Sequence, residues 1–218
     1  MSAFPRANEH EPSTLGGLSI CVFCGARDGK SAAALHMARD VGTQLGIRGH
    51  SLIYGGGGIG MMGEVARSAR AAGAHVTGIV PGFLRELERA QDALAHTMLV
   101  THDMFDRKRR MIDISHGFIA LPGGYGTLDE VMEVVSLAYL GQCLKPLVLV
   151  DVDGTWDQLL ALFEDVDRRG FVRSGLTELV QVVPSAAEAV AFIEQSGIPA
   201  TTKEPVVTPP YTKAEAGR

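Results

Sequence analysis

The run His116-Gly117-Phe118-Ile119-Ala120-Leu121-Pro122-Gly123-Gly124-Tyr125-Gly126-Thr127-Leu128-Asp129-Glu130 decides how this chain is read. Its first six residues are apolar without alternation, the pattern of a strand buried on both faces of a parallel sheet. From Leu128 to Val135 the pattern is helical. The glycines therefore stand at a strand-to-helix turn, where the missing Cβ lets a ligand approach the backbone. Thr127 is placed to cap the new helix through its hydroxyl. Asp129 and Glu130 are expected in the first turn. The unbonded N–H groups and positive dipole end of such a helix form an anion site. Taken alone, the loop reads either as a tight turn with dipole-compensating acids or as a phosphate pocket with a carboxylate at its edge.

A second loop of the same kind lies upstream. Ser51-Leu52-Ile53-Tyr54 reads as a strand and runs into Gly55-Gly56-Gly57-Gly58-Ile59-Gly60-Met61-Met62-Gly63, with a helix expected over Glu64–Ala72. The spacing G-x-G-x-x-G is present, but a run of glycines satisfies it cheaply. The acid that would read a dinucleotide ribose is missing, because the strand His75–Val80 ends in Pro81-Gly82. This loop is read as a phosphate or nucleotide cradle, with Gly57 and Gly58 as candidates, and not as an NAD site. The strand Leu18–Cys24 ends in a third such loop, Gly25-Ala26-Arg27-Asp28-Gly29, which adds Gly25. A helix follows from about Ser31, with Ala34, Ala38, Val41 and Leu45 on one face.

The rest of the chain keeps this rhythm. Thr97–Thr101 and Lys145–Asp151 read as strands, as does Glu178–Val183. Helices are expected over Met104–Ile114, over Thr155–Arg168 and from a Ser185 cap to Glu194, with Ala189 and Phe192 facing inward; Phe83–Ala95 reads as partly helical. Trp156 reads as a core anchor. Strands alternating with helices give a Rossmann-like, doubly wound parallel α/β sheet with helices on both faces. Ligands in such sheets sit beyond the carboxyl ends of the strands, where all three glycine loops would converge. On the helix Met104–Ile114, Arg107 shares a face with Met104 and Met111. It either snorkels to water or meets an anion with its planar fork. Arg109 and Arg110 read as surface charge.

Composition narrows the function. The chain has 218 residues, 46% hydrophobic and 21% charged, with a net charge of −5 and a pI near 5.8. This suits one α/β domain, expected over residues 17–196, with flexible segments at 1–16 and 197–218. The acidic balance argues against nucleic acid as a partner. No apolar run approaches the roughly 20 residues that span a bilayer, and the polar start lacks a signal-peptide core, so the cytoplasm is the expected location. Cys21 and Cys24 have C-x-x-C spacing, but inside a strand residues three apart point to opposite faces. They read as buried structural thiols. The seven histidines show no metal-ligand spacing, and no metal is expected.

Three stretches carry a resemblance. Pro122 to Glu130 fits P-G-G-x-G-T-x-x-E without a break, Met104 to Lys108 fits M-x-x-R-K, and Gly55 to Gly63 is similar to G-G-G-x-x-G-L-M-G. The chain resembles the Lonely Guy (LOG) family of cytokinin-activating phosphoribohydrolases, long labelled lysine decarboxylases. The similarity runs from about Leu18 to Ile193. The resemblance implies a Rossmann-like fold, a homodimer or higher homo-oligomer, no cofactor, and hydrolysis of the N-glycosidic bond of a nucleoside 5′-monophosphate. It assigns Arg107 and Glu130 as the catalytic pair and Gly123, Gly124, Gly126 and Thr127 to the phosphate. Met104 and Lys108 join them as candidate substrate-binding residues. The pattern departs where the family commonly has Trp and Gln, here Leu137 and Tyr139, and in Ser115-His116-Gly117-Phe118. AMP is therefore a plausible substrate beside N6-modified nucleotides. A carbohydrate-type glycosidic cleavage builds positive charge on the ribose, which a carboxylate such as Glu130 stabilises. The competing readings are a non-catalytic carrier of the molybdenum cofactor, a nicotinamide oxidoreductase, and a pyridoxal-phosphate decarboxylase with Lys108 as its nearest lysine.

Overall fold

Seven short apolar runs build one sheet: β1 (Ser19–Phe23), β2 (Ser51–Tyr54), β3 (Val76–Pro81), β4 (Thr97–Thr101), β5 (Gly117–Ala120), β6 (Leu147–Val150) and β7 (Gln181–Val183). The computed structural model describes residues 17–85, 94–172 and 180–196. Every strand pair is parallel, in the order β4-β3-β2-β1-β5-β6-β7. The helices are α1 (Ala32–Ile47), α2 (Gly60–Ala71), α3 (Met104–Ile114), α4 (Tyr125–Tyr139), α5 (Asp157–Arg168) and α6 (Ala186–Gln195). The fold is the doubly wound parallel α/β sheet.

Side chains alternate across each strand, so two cores form. Ile20, Val22 and Cys24 pack with α1, α2 and α6 on one face; Cys21 and Phe23 pack with α3, α4 and α5 on the other. Cys21 and Cys24 thus lie on opposite faces as free, buried thiols. Ser31 caps α1 by accepting from Ala33 N at 3.2 Å. Ser185 caps α6 by accepting from the N–H of Glu188. Trp156 is 2% exposed and donates through Nε1 to Val150 O at 3.0 Å, which fixes α5 against β6.

Several boundaries differ from the sequence expectation. α2 starts at Gly60, not Glu64, and α4 starts at Tyr125, not Leu128. In both, glycine enters the first helical turn instead of remaining in the loop. Phe192 is 36% exposed, and the inward face of α6 is Ala186, Ala189, Val190 and Ile193. Gly82–Leu84 forms a single 3-10 turn. The remainder of the expected helix, at 86–93, lies outside the described residues, as do 178–179 of the last strand, 1–16 and 197–218.

The amino-terminal edge of the sheet carries histidines. His50, His75, His96 and His116 each stand directly before a strand. Nδ1 of His50 accepts from Leu18 N at 3.1 Å, that of His116 from Ser19 N at 2.9 Å, and that of His96 from Val76 N at 3.1 Å. An accepting Nδ1 carries no proton, so Nε2 of His50 is the donor to Glu194 Oε1 at 2.8 Å. Burial, then the charge of Lys145, lowers the pKa of His116; burial, then Arg70 and His75, lowers that of His96. A histidine whose folded pKa is depressed contributes stability above its unfolded pKa, near about 6.5, and loses it as pH falls through the folded value. The thermal midpoint is therefore expected to fall between pH 7 and pH 5. His116→Asn keeps an acceptor in Oδ1 that cannot be protonated, and is expected to flatten that slope. An unaltered slope would remove His116 from the account.

Candidate active site

The chain runs from β1 through β2 and β3 to β4 at one edge, then returns to place β5 beside β1. The crevice beyond the carboxyl ends of β1 and β5 is the topological switch point, where open α/β sheets bind ligands. The loops meet there. Gly25 N donates to Pro122 O at 3.2 Å, and Met62 N donates to Gly25 O at 3.2 Å, which ties the start of α2 to the loop after β1. A cavity of about 500 Å³ opens between them, lined by Gly25, Arg107, Gly123, Gly124, Gly126, Thr127 and Glu130, with Cys24, Ala34, Met61, Met62 and Thr155 as walls. Another cavity, of about 310 Å³, lies at the opposite end of the sheet against Ala138, Lys145, Pro146, Gln181 and Phe192. Among the described residues, no glycine loop or helix N-terminus opens into it.

The phosphate turn is built differently from the sequence expectation. Gly124 occupies the cap position with extended backbone and no side-chain bond. The first intrahelical bond is Leu128 N to Gly124 O, 3.1 Å. The N–H groups before it lack helical acceptors, and no acid stands in the first turn. The positive end of α4 is thus uncompensated by a side chain, which favours an anion. Asp129 and Glu130 fall one turn later than expected, because the helix starts early. Thr127 is not the cap. It is 3% exposed and packs beneath Gly123, where an added Cβ would come within 2.6 Å of the Thr127 Cβ and collide with its hydroxyl.

Arg107 and Glu130 face each other at the edge of this turn. Asp103 caps α3 by accepting from Asp106 N at 2.8 Å, which sets the helix so that Arg107 and Met111 turn inward. Arg107 is 4% exposed, so it does not snorkel. Its NH2 donates to Gly55 O at 3.3 Å and lies 3.7 Å from Glu130 Oε1. The latter is an ion pair, too long for a hydrogen bond. Nε of Arg107 is buried without a partner among the described residues. Glu130 is 7% exposed. Burial, then the charge of Glu130, holds the Cys24 thiol far above its ordinary pKa, so this wall is a neutral thiol and not a nucleophile. Burial likewise pushes Tyr54 up to about 12.

Of the sequence candidates, Arg107, Glu130, Gly25, Gly123, Gly124, Gly126 and Thr127 come together around one cavity. Met104 places its sulfur 3.8 Å from NH1 of Arg107 and backs the guanidinium. Gly57 packs on Met62, and Gly58 O accepts from Arg67 NH1 at 3.4 Å; neither lines the cavity. Gly55 is the member of that run that reaches the charged pair, and an added Cβ there would strike the guanidinium, 3.2 Å from Cζ. Its signal in the sequence is its place as the first residue after β2. Lys108 turns away from the cavity, its Nζ 2.9 Å from Asp129 Oδ1 and 2.8 Å from Glu133 Oε2. Leu137 and Tyr139 lie near the carboxyl end of α4, on the order of 10 Å along the axis from Glu130 at 1.5 Å per residue, and do not line the cavity. Ser115 and His116 make backbone bonds instead, Ser115 Oγ to Met111 O at 2.7 Å and His116 to Ser19.

A parallel sheet with a bare helix amino terminus at its switch point, and a buried arginine–glutamate pair beside it, defines an α/β protein with a site suited to an anion. Residues 62–193 match the family described as "Possible lysine decarboxylase". Among curated proteins, the cytokinin riboside 5′-monophosphate phosphoribohydrolases LOG4 and LOG3 of Arabidopsis thaliana are 39% and 40% identical over 176 residues, covering 81% of this chain and 81% of each of theirs. The LOG enzyme of Oryza sativa is 38% identical over 176 residues, 72% of its length. The chain belongs to this LOG family. Among solved structures, a molybdenum cofactor carrier protein of Chlamydomonas reinhardtii matches at TM-score 0.64 and 25% identity, over 83% of this chain and 98% of that one. The molybdenum cofactor binding protein of Rippkaea orientalis matches at TM-score 0.63 and 21% identity, over 82% and 96%, and shares the fold.

The turn itself can be tested by two glycine substitutions. Gly126 stands in the first turn of α4 with open space where a Cβ would go. Gly126→Ala is expected to stabilise the protein, by about 0.5–1 kcal/mol of helix propensity, and to weaken inorganic phosphate binding by tenfold or more. Gly123→Ala is expected to destabilise by about 1–3 kcal/mol through overpacking. Thermal unfolding and calorimetric titration with phosphate read both. Phosphate affinity untouched in Gly126→Ala would place the anion elsewhere.

Proposed function

We propose that this protein hydrolyses the N-glycosidic bond of adenine-type nucleoside 5′-monophosphates, N6-modified cytokinin nucleotides or AMP, releasing free base and ribose 5-phosphate. The observation that carries this reading is the buried Arg107–Glu130 pair beside the uncompensated amino terminus of α4. The names of the relatives point the same way. The 5′-phosphate sits on the turn Gly123–Thr127, held by backbone N–H groups. Fixing it spends remote binding energy on orienting the bond to be cut. As that bond breaks, its electron pair leaves with the base and positive charge grows on the ribose. The Glu130 carboxylate stabilises that charge and accepts a proton from the attacking water, whose oxygen joins the anomeric carbon. The proton passes to the base. Arg107 sets its positive charge beside the Glu130 carboxylate and presents its remaining N–H groups to the phosphate or ribose.

The carrier reading rests on the fold shared with the molybdenum cofactor proteins. A carrier needs the cradle but not a buried acid at its rim. The pyridoxal reading fails on Lys108. Burial alone would lower its pKa, but the bonds to Glu133 and Asp129 outweigh that and hold it raised. A clamped ammonium is a poor Schiff-base amine. The outer face of α4 exposes Tyr125, Leu128, Met132 and Tyr139 at helical spacing, and we read this stripe as the contact of a homodimer. Three unpaired buried cysteines are in keeping with a reducing cytoplasm. Among the described residues, no helix is long and apolar enough to cross a membrane.

Purified protein incubated with AMP, and separately with isopentenyladenosine monophosphate, is expected to release the base, read by chromatography. Glu130→Gln and Arg107→Lys are each expected to lower turnover by about 10²–10³-fold, the usual loss when one transition-state charge contact is removed. Retained turnover in Glu130→Gln would sink the catalytic assignment. Absence of release from either nucleotide, with a bound pterin absorbance in the purified protein, would establish the carrier.

A further inference from the structure

We propose that Lys108 is a positioning residue which sets the separation of Arg107 and Glu130 by clamping α3 to α4, and that it is not a ligand of the substrate phosphate. This rests on the glycosidase reading of the same site. Lys108 follows Arg107 on α3, and Asp129 precedes Glu130 on α4, so the two helices meet at two adjacent points. Facing the cavity, Arg107 NH2 and Glu130 Oε1 stand 3.7 Å apart, without a direct hydrogen bond. On the other side, Lys108 Nζ reaches Asp129 at 2.9 Å and Glu133 at 2.8 Å. The second contact is tight where the first is loose.

The Lys108 side chain is 8% exposed, while Asp129 and Glu133 are 51% and 41% exposed. The buried partner is the lysine, so its ammonium depends on those two carboxylates for charge compensation. Its stem lies along a crevice bounded by Phe23, Ile112, Glu130 and Glu133 that is too narrow for water. Lys108 is absent from the lining of the larger cavity where the glycine turn lies. Two of its three N–H donors are already used. A single ammonium that bonds two carboxylates one turn apart on α4 fixes the rotation of that helix as well as its distance. Rotation of α4 swings Glu130 relative to the Arg107 fork. Misplacing a catalytic group by about 1 Å costs on the order of 10²-fold in rate, so the clamp acts on turnover and leaves the phosphate turn untouched.

The test uses the full chain and two readouts, steady-state base release and calorimetric binding of ribose 5-phosphate. Lys108→Met, of similar length, is expected to lower kcat by tenfold or more with KM and ribose 5-phosphate affinity within twofold of wild type. Lys108→Arg restores part of kcat. The double variant Asp129→Asn with Glu133→Gln reproduces the loss, and adding Lys108→Met to it costs little more, because all three act through one contact. The proposal is overturned by unchanged kcat in Lys108→Met. It is equally overturned by a tenfold loss of ribose 5-phosphate affinity in Lys108→Met that the carboxylate variants do not share, since that is the mark of a direct ligand. A wild-type protein that releases base from no nucleotide overturns the glycosidase reading, and this role with it; the other two outcomes leave that reading standing.

Discussion

The pairing of β5 with β1 is the constraint on which the pocket depends. It reverses the strand order at that point and leaves two loops side by side with no helix between them. The single bond from Gly25 N to Pro122 O then joins the loops across the gap. Each loop taken alone is an ordinary tight turn. Brought together they form a wall of backbone N–H groups and carbonyls, and α3 and α4 bring charge to its edge from the same side of the sheet. The apolar strands supply the stability, and the switch point supplies the place where backbone polarity is not consumed by the sheet.

Charge at that edge is held in an unusual way. A buried arginine needs compensation, and a full bidentate bond to Glu130 would provide it. At 3.7 Å the pair compensates electrostatically without closing. Gly55 O takes one guanidinium N–H at 3.3 Å, and this is possible only because Gly55 lacks the Cβ that would occupy the guanidinium's place. Within the glycine run after β2, Gly55 is the residue that serves the charged pair.

Much of this was legible in the chain. β2, β4 and α3 fall where the residue patterns put them, because apolar runs and helical spacing are local signals. The switch-point cradle followed from the alternation of strands and helices and the place of the glycine loops within it. The starts of α2 and α4 were not legible. Glycine is a poor helix former, so local propensity leaves Gly60, Gly63 and Gly126 in loops, whereas docking of the helix ends against the loop after β1 draws them into the first turn. The partners of Lys108 were also out of reach, whereas the face that Arg107 shares with Met104 and Met111 already pointed it to the pocket or to water. Lys108 meets residues 21 and 25 positions away, Asp129 and Glu133, and nothing in the motif M-x-x-R-K announces those partners. Only the packing of α3 on α4 decides that.

The glycines of the turn show how stability and binding are traded within a few residues. Gly123 is required by packing, since Thr127 fills the space a side chain would need. Gly124 and Gly126 have open space around them and no positive φ, so nothing in the fold itself demands glycine there. Alanine at a helical position such as Gly126 would stabilise α4. A chain selected for stability alone would not keep glycine at both positions, facing solvent at the start of a helix with no acid in its first turn. What glycine supplies there is bare N–H surface, and bare N–H surface at a helix amino terminus has value only to an anion that closes over it. Across the cavity the Arg107 guanidinium, with NH2 3.3 Å from Gly55 O and 3.7 Å from Glu130 Oε1, brings positive charge to the other wall. The helix end and the guanidinium thus present positive charge to the same space, and one anion seated between them would be attracted by both.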